Sequence, residues 1–322
     1  MPPRAFLNAI GTATPPHDVH DAFLAYAPAL LATERERALF ARMAERSGIA
    51  HRYSPLTGQE GFYVPGAFPS TAQRMARYAA ESLPLAQAAL ADLGARLGRD
   101  WRQGVTHLIA VSCTGFEAPG LDQRLIAACG LDPRIERTVV GFMGCNAAFH
   151  ALKLARHVVR SEPDARVLVV NLELCTLHFQ ETRSLEQALC FMLFADGCSA
   201  ALVSAEATGL ELERFAQETL DEGADLITWR IGDDGFDMRL SGQVPGVILR
   251  ALPGHVAALD APDAALWAIH PGGRSILDAV QLALEVPEAA MAPSRAVLHD
   301  CGNMSSATVM FVLARIMAAG AA

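Results

Sequence analysis

Lysine is nearly absent from this chain of 322 residues: Lys153 is the only one, and the other cations are arginines. With 26 basic against 35 acidic side chains the formal charge is −9. That balance argues against a broad nucleic-acid surface, because phosphate binding needs clustered Lys and Arg. No apolar run approaches the roughly 18 residues of a membrane span. The segment from Met1 to Thr14 has one early Arg but no apolar core before a small-residue cleavage site, so it does not read as a signal peptide. A soluble, cytoplasmic protein is expected. The 7 cysteines are widely spaced and form no C-x-x-C pair, which argues against a tetrahedral zinc site and against a disulfide framework. No metal is expected. No low-complexity tract and no Pro/Gly/Ser linker divides the chain. What is abundant is core material: 52% hydrophobic against 19% charged residues. That is richer than an average soluble domain and enough for two core-forming units and a subunit interface.

Apolar periodicity predicts a helix over 33–47, with Thr33 as N-cap and Gly48 as stop, and a long Ala-rich helix over 71–97. Strands are expected at 105–112, 137–142, 166–172 and 198–204. Helices are expected at 121–129 and from Cys145 to Arg160. The second half repeats the alternation, with strands near 226–231, 236–240, 265–269 and 295–299 and helices at 273–284 and 304–318. Continuous apolar strands between helices mean a sheet covered on both faces, so the class is α/β. A boundary near 205–210 divides the chain into halves 1–205 and 206–322.

Three segments carry candidate chemistry. In GFMGCNAAFH (141–150) a short strand meets a glycine turn and Cys145 opens a helix, where backbone N–H groups favour an anion. A structural cysteine at a helix start is the plainer reading. In LWAIHPGGRSILD (266–278) a strand delivers His270 to a Pro-Gly-Gly turn, a position where α/β proteins place reacting groups. In AVLHDCGNMSSATVMF (296–311) Asn303 sits at another corner, where capping is its alternative role. Nucleophile, base and amide donor are the parts that covalent acyl chemistry needs.

Together these segments resemble the type III polyketide synthases, the chalcone synthase-like branch of the thiolase superfamily. The resemblance runs from AIGTATP (9–15) to the end of the chain, and HPGG followed by GNMSSA is its most specific part. It implies a thiolase-like fold of αβαβα layers, two similar halves each with a mixed five-stranded sheet, and a homodimer. It implies repeated decarboxylative condensation of malonyl-CoA onto an acyl-CoA starter, with CoA thioesters as substrates and no other cofactor. By the resemblance Cys145 is the nucleophile, held as a thiolate by ion pairing with His270, and Asn303 is the second hydrogen-bond donor. Phe194, in LFADG, matches a gatekeeper phenylalanine, and Met238 stands at the second gate. Arg42, Arg46 and Ser275 match CoA-binding positions, whereas Leu39 replaces a third basic residue. Cys113, Cys175, His178, Cys190 and Trp229 fall at cavity positions where plant members mostly carry Thr or Gly.

The SCTG at 112–115 resembles bacterial members and points to alkylpyrones or alkylresorcinols built on a fatty acyl starter. A tetrahydroxynaphthalene- or chalcone-type product stays open, as does a ketoacyl-carrier-protein synthase. A cysteine hydrolase of the Cys-His-Asn type and an inactive scaffold are further alternatives. The family continues past the GNMSSA helix into a GFGPGL-like loop and two closing strands. This sequence ends at Ala322, and omission of a tail is the expected reason.

Overall fold

The computed structural model describes residues 3–58, 61–257 and 264–320. The chain opens with strand β1 (Phe6–Ala13), short strand β2 (His17–Asp18) and helices α1 (His20–Tyr26) and α2 (Glu34–Glu45). Thr33 caps α2 as its spacing predicts. Its hydroxyl accepts from the Glu36 backbone N–H at 3.2 Å, and the Glu36 carboxylate accepts from the Thr33 N–H at 3.0 Å. This reciprocal pair satisfies two donors that a helix start otherwise leaves orphaned. Strand β3 (Tyr53–Ser54) pairs with β2 and precedes the long helix α3 (Thr71–Leu97). Then come β4 (His107–Ser112), α4 (Leu121–Cys129), β5 (Glu136–Gly141), a 3-10 turn at Gly144–Asn146, and α5 (Ala147–Ser161). Next are β6 (Val167–Leu174), α6 (Leu185–Leu193) and β7 (Asp196–Ser204). The remainder holds β8 (Leu210–Glu211), the hairpin β9 (Ile227–Gly232) and β10 (Gly235–Leu240), and helices α7 (Val244–Ala257), α8 (Arg274–Leu284), α9 (Glu288–Cys301) and α10 (Ser306–Ala318).

One mixed six-stranded sheet, ordered β5-β4-β6-β7-β1-β8, organises the fold. β4 runs parallel to β5 and β6, and β7 runs antiparallel to β6 and β1. Every residue of β6 and β7 is buried, as strands covered on both faces require. On one face α3 packs Tyr78, Leu85, Leu90 and Leu93 against the sheet. On the other, α5 and α10 cover it with Ala148, Ala151, Leu152, Val309 and Met310. A third layer lies beyond α10, whose far side meets Val297 and Cys301 of α9. α10 is buried along most of its length, which explains why its sequence is apolar all round.

Two expected strands are not strands. Residues 295–299 lie inside α9, where Met291, Ser294, Val297, Leu298 and Cys301 form its buried stripe. That 3.6-residue spacing is invisible in the five-residue window, which reads as a short apolar run. Residues 265–269 join no ladder among the described residues. Leu266 there is 55% exposed, and Ile269 donates its N–H to the Ser294 hydroxyl at 3.1 Å. Extended backbone becomes a strand only when a neighbour supplies partners. The five-stranded sheet expected of the second half is therefore not formed among the described residues, which contain only the β9–β10 ribbon there. β8, just past the expected boundary, hydrogen-bonds to β1 and so belongs to the first sheet.

The sheet and α3 meet at closest range through Gly11: a Cβ there would lie 2.1 Å from the Leu93 nitrogen and 2.3 Å from the Ala89 oxygen. Gly11→Ala must push α3 off β1, and a cost of about 3 kcal/mol, the upper end of overpacking, is expected. Urea denaturation checks this. An unchanged midpoint would mean that the two elements are not rigidly packed.

Candidate active site

Three chain corners meet at one cavity of about 200 Å³. The first follows β5, where Phe142 at φ +52° and Gly144 at φ +63° reverse the chain. The turn places Cys145 at the entrance to α5, whose Ala147, Ala148 and Ala151 have no exposed surface and let the helix sit close to the sheet. The Cys145 sulfur lies 3.7 Å from the Ser305 hydroxyl. The second corner is His270, where Pro271, Gly272 and Gly273 lead into α8. Both of its ring nitrogens are shielded from solvent and have no hydrogen-bond partner. Buried polar atoms are nearly always satisfied, so an imidazole left open against a cavity marks where a ligand atom belongs.

The third corner is Asn303. Gly302 adopts φ +68°, and a Cβ on it would meet Arg52 Cγ at 2.9 Å and the Leu193 oxygen at 3.1 Å. Only glycine lets the chain turn there. Asn303 then pairs with the end of α6: its N–H donates to Leu193 O at 2.8 Å, and Ala195 N–H donates to Asn303 O at 2.9 Å. The carboxamide is fixed as well. Its oxygen accepts from the Ser305 N–H at 2.9 Å and the Thr308 hydroxyl at 3.3 Å, and its nitrogen donates to Gly272 O at 3.1 Å.

Cys145, His270, Asn303, Phe194, Met238, Cys113, Cys175 and Trp229 all line this cavity. His178 and Cys190 do not; they stand behind its wall. His178 Nε2 donates to Thr114 O (2.7 Å) while Nδ1 accepts from the Phe236 N–H (3.1 Å). Its ring stacks on Phe236 at 4.0 Å and meets Trp229 edge-on. Burial pushes His178 down to about 3, so it stays neutral in this role. It supports Trp229, whose indole N–H donates to Cys113 O at 2.7 Å and so forms the wall itself. Cys190 packs against Cys175 and Phe194. Arg42 and Arg46 are exposed near the end of α2, Leu39 is 39% exposed, and Ser275 is exposed at the start of α8. Arg274 donates to Arg46 O at 3.2 Å and ties these two elements together beside the His270 turn.

Residues 3–207 match the N-terminal domain of chalcone and stilbene synthases, and residues 211–321 match the C-terminal domain. The chain belongs to the chalcone and stilbene synthase family. Among its relatives is bisdemethoxycurcumin synthase of Oryza sativa subsp. japonica, 32% identical over 96% of this chain and 83% of that protein. The alpha-pyrone synthesis polyketide synthase-like Pks18 of Mycobacterium tuberculosis is also 32% identical, over 96% of this chain and 82% of its own length. Of solved structures, 1,3,6,8-tetrahydroxynaphthalene synthase of Streptomyces coelicolor A3(2), a bacterial type III polyketide synthase, superposes with a TM-score of 0.86 at 28% identity. That match covers 98% of this chain and 91% of the other. The chain is thus a type III polyketide synthase with the thiolase-like fold, and no helix among the described residues is long and apolar enough to cross a membrane.

Motif reading of this family member missed several residues. Ser305, strained at φ +48°, reaches the Cys145 sulfur, but a Ser-Ser pair opening a helix reads as capping. Val244 and Ile248 of α7 and Ile276 of α8 complete the apolar wall. Glu173, fully buried in β6, accepts from Cys113 N–H (2.9 Å), Thr114 Oγ1 (2.9 Å) and Ser306 Oγ (2.6 Å). Burial lifts it to about 7 despite those donors. A single Glu inside an apolar strand is the signal that sequence offers for it.

Burial works against the expected ion pair. Burial pushes the Cys145 thiol up to about 11, partly offset by the Ser305 hydrogen bond, and Glu173 raises it further. Burial alone holds His270 down at about 4. Desolvation disfavours the charged form of each, so burial favours the neutral thiol and the neutral imidazole. Alkylation of Cys145 by iodoacetamide should therefore be slow at pH 7 and climb through pH 8–10 without levelling. Ser305→Ala, which removes a donor to the thiolate, should move the profile higher still. A plateau below pH 7 would show a standing thiolate–imidazolium pair instead.

Proposed function

We propose that this synthase loads an acyl group onto Cys145 and extends it with two-carbon units from malonyl-CoA. The observation that carries the reading is the convergence of a thiol, an unpartnered imidazole and a fixed carboxamide on one apolar chamber. As Cys145 attacks the thioester carbonyl of an acyl-CoA, its proton passes to His270, which is neutral and able to accept it. The tetrahedral adduct collapses, CoA leaves as a thiol with that proton, and an acyl-enzyme remains. Malonyl-CoA then binds with its thioester oxygen between His270 and Asn303. Loss of CO2 leaves an enolate whose negative oxygen both groups stabilise. The enolate carbon attacks the Cys145 thioester, the thiolate departs, and the chain is two carbons longer. Phe194 and Met238 shield the thioester from water. No metal or organic cofactor takes part; CoA is the carrier, held by Arg42, Arg46 and Ser275.

The product we propose is an alkylpyrone or alkylresorcinol made from a fatty acyl starter. A second apolar chamber of about 340 Å³ supports this, lying across Cys175 and Phe194 from the catalytic cavity and walled by Phe23, Tyr63, Phe179 and Phe191. It has room for a chain that the catalytic cavity alone does not. The enzyme is proposed to work in the cytoplasm as a homodimer. β5 is an open edge of the sheet, and Val139, Phe142, Met143, Phe149 and Phe116 are exposed around it, an apolar patch of the kind that interfaces cover.

Cys145→Ala should abolish acyl loading yet retain malonyl-CoA decarboxylation, since both oxygen donors remain. Asn303→Ala should load starter normally and lose decarboxylation by on the order of 10²–10³. Intact-protein mass spectrometry and CO2 release measure the two steps, and unaltered turnover in both variants would remove the mechanism. Product analysis with starters from acetyl-CoA to long-chain acyl-CoAs tests the substrate. Pyrones from long-chain starters are expected. Tetrahydroxynaphthalene from malonyl-CoA alone, with long chains ignored, would contradict it.

A further inference from the structure

Arg52 is almost fully buried, lines the second chamber rather than the catalytic one, and has no part in the chemistry described so far. A guanidinium is costly to bury unless its donors are used. Here Nη1 donates to two carbonyls at once, Phe191 O at 2.8 Å and Phe194 O at 2.7 Å, while Nη2 has no hydrogen-bond partner among the described residues. Nε donates to His20 Nδ1 at 3.0 Å, and the guanidinium carbon sits 4.8 Å from the Phe23 ring centre. The two carbonyls belong to the C-terminal end of α6, where unpaired oxygens and the helix dipole favour a cation. The same strip of chain is gripped from its other side by Asn303, through Leu193 O and Ala195 N–H. Residues 191–195 are thus clamped alternately, 191 and 194 by Arg52, 193 and 195 by Asn303.

From this geometry we infer that Arg52 is a positioning residue that sets the gate Phe194 and the carboxamide of Asn303 together. The inference rests on the condensing reaction proposed above. Arg52 is itself immobilised. Its N–H donates to Asp18 Oδ1 at 3.2 Å, and its carbonyl accepts from Val19 N–H at 2.8 Å. His20 can accept from Nε because burial and the neighbouring guanidinium hold it near 4, hence neutral. The Arg52 stem also fills the space that a side chain at position 302 would need. A lysine has no planar fork to span these acceptors, so it replaces the charge without the geometry.

Arg52→Met keeps the stem and removes every donor. With the strip released, acyl loading at Cys145 from acetyl-CoA, whose acyl group does not extend into the second chamber, should keep its wild-type rate. Malonyl-CoA decarboxylation should fall by on the order of 10–100-fold, the effect of a displaced catalytic group. Hydrolysis of the acyl-enzyme should gain on condensation. Arg52→Lys should recover part of the loss. His20→Ala, which frees only Nε, should shift the same ratio in the same direction by a smaller factor, and it serves if the Met variant does not fold. Loading is followed by intact-protein mass spectrometry, decarboxylation by CO2 release, and partition by the ratio of free acid to extended product. A wild-type ratio in folded variants would overturn the inference, as would parallel loss of loading and decarboxylation. Wild-type enzyme that loads no acyl group would overturn the condensing reaction and the inference with it.

Discussion

Two backbone hydrogen bonds, between Asn303 and residues Leu193 and Ala195, join the parts of this site. Cys145 comes from the first sheet, whereas His270 and Asn303 come from helices and turns of the second half. Although Glu173 of β6 holds Ser306 beside one of the later corners, the first sheet alone does not place them. The short parallel bridge of Asn303 with Phe194 does so, and it works because Gly302 allows the chain to approach where a side chain would collide. Each such buried bond adds about 1 kcal/mol net, but breaking one and leaving its groups unpaired costs more. The bridge therefore matters as a positional constraint more than as a source of stability.

Around that bridge the site is built by desolvation. The chamber is lined mainly by Ile227, Trp229, Met238, Leu240, Val244 and Ile248, which strengthen every interaction of the few polar groups inside. The same burial favours the uncharged thiol and imidazole. Charge then appears first on a carbonyl oxygen, next to donors that need no reorganisation. Glu173 beneath the pocket has its acceptors occupied by Cys113, Thr114 and Ser306, so it organises three wall segments.

Much of this was legible in the sequence. Thr33 as the cap of α2, Gly48, the bounds of α3 and α4, and the strands β4 to β7 follow from local pattern, because each is decided by capping, period or continuous burial, whereas β1 and β8 do not stand out. The corners at Cys145, His270 and Asn303 followed from their glycine-containing turns and the family resemblance, although among the described residues no strand leads into the last two. What local pattern could not show is what depends on partners. Residues 265–269 need a neighbouring strand to be one, and 295–299 reveal their helix only over the longer span from Met291 to Cys301. His178 reads as lining until its two ring nitrogens are seen to be occupied by Thr114 and Phe236. Nothing local marks Arg52, because the carbonyls it holds lie 139 and 142 positions further along the chain.

The most direct measurement is a crystal structure of the enzyme with a non-reactive malonyl-CoA analogue. The thioester oxygen should lie within hydrogen-bond distance of a His270 ring nitrogen and of the Asn303 carboxamide nitrogen, with the Cys145 sulfur facing the carbon beside it. An analogue bound with that oxygen away from both groups, or outside the chamber, would contradict the account.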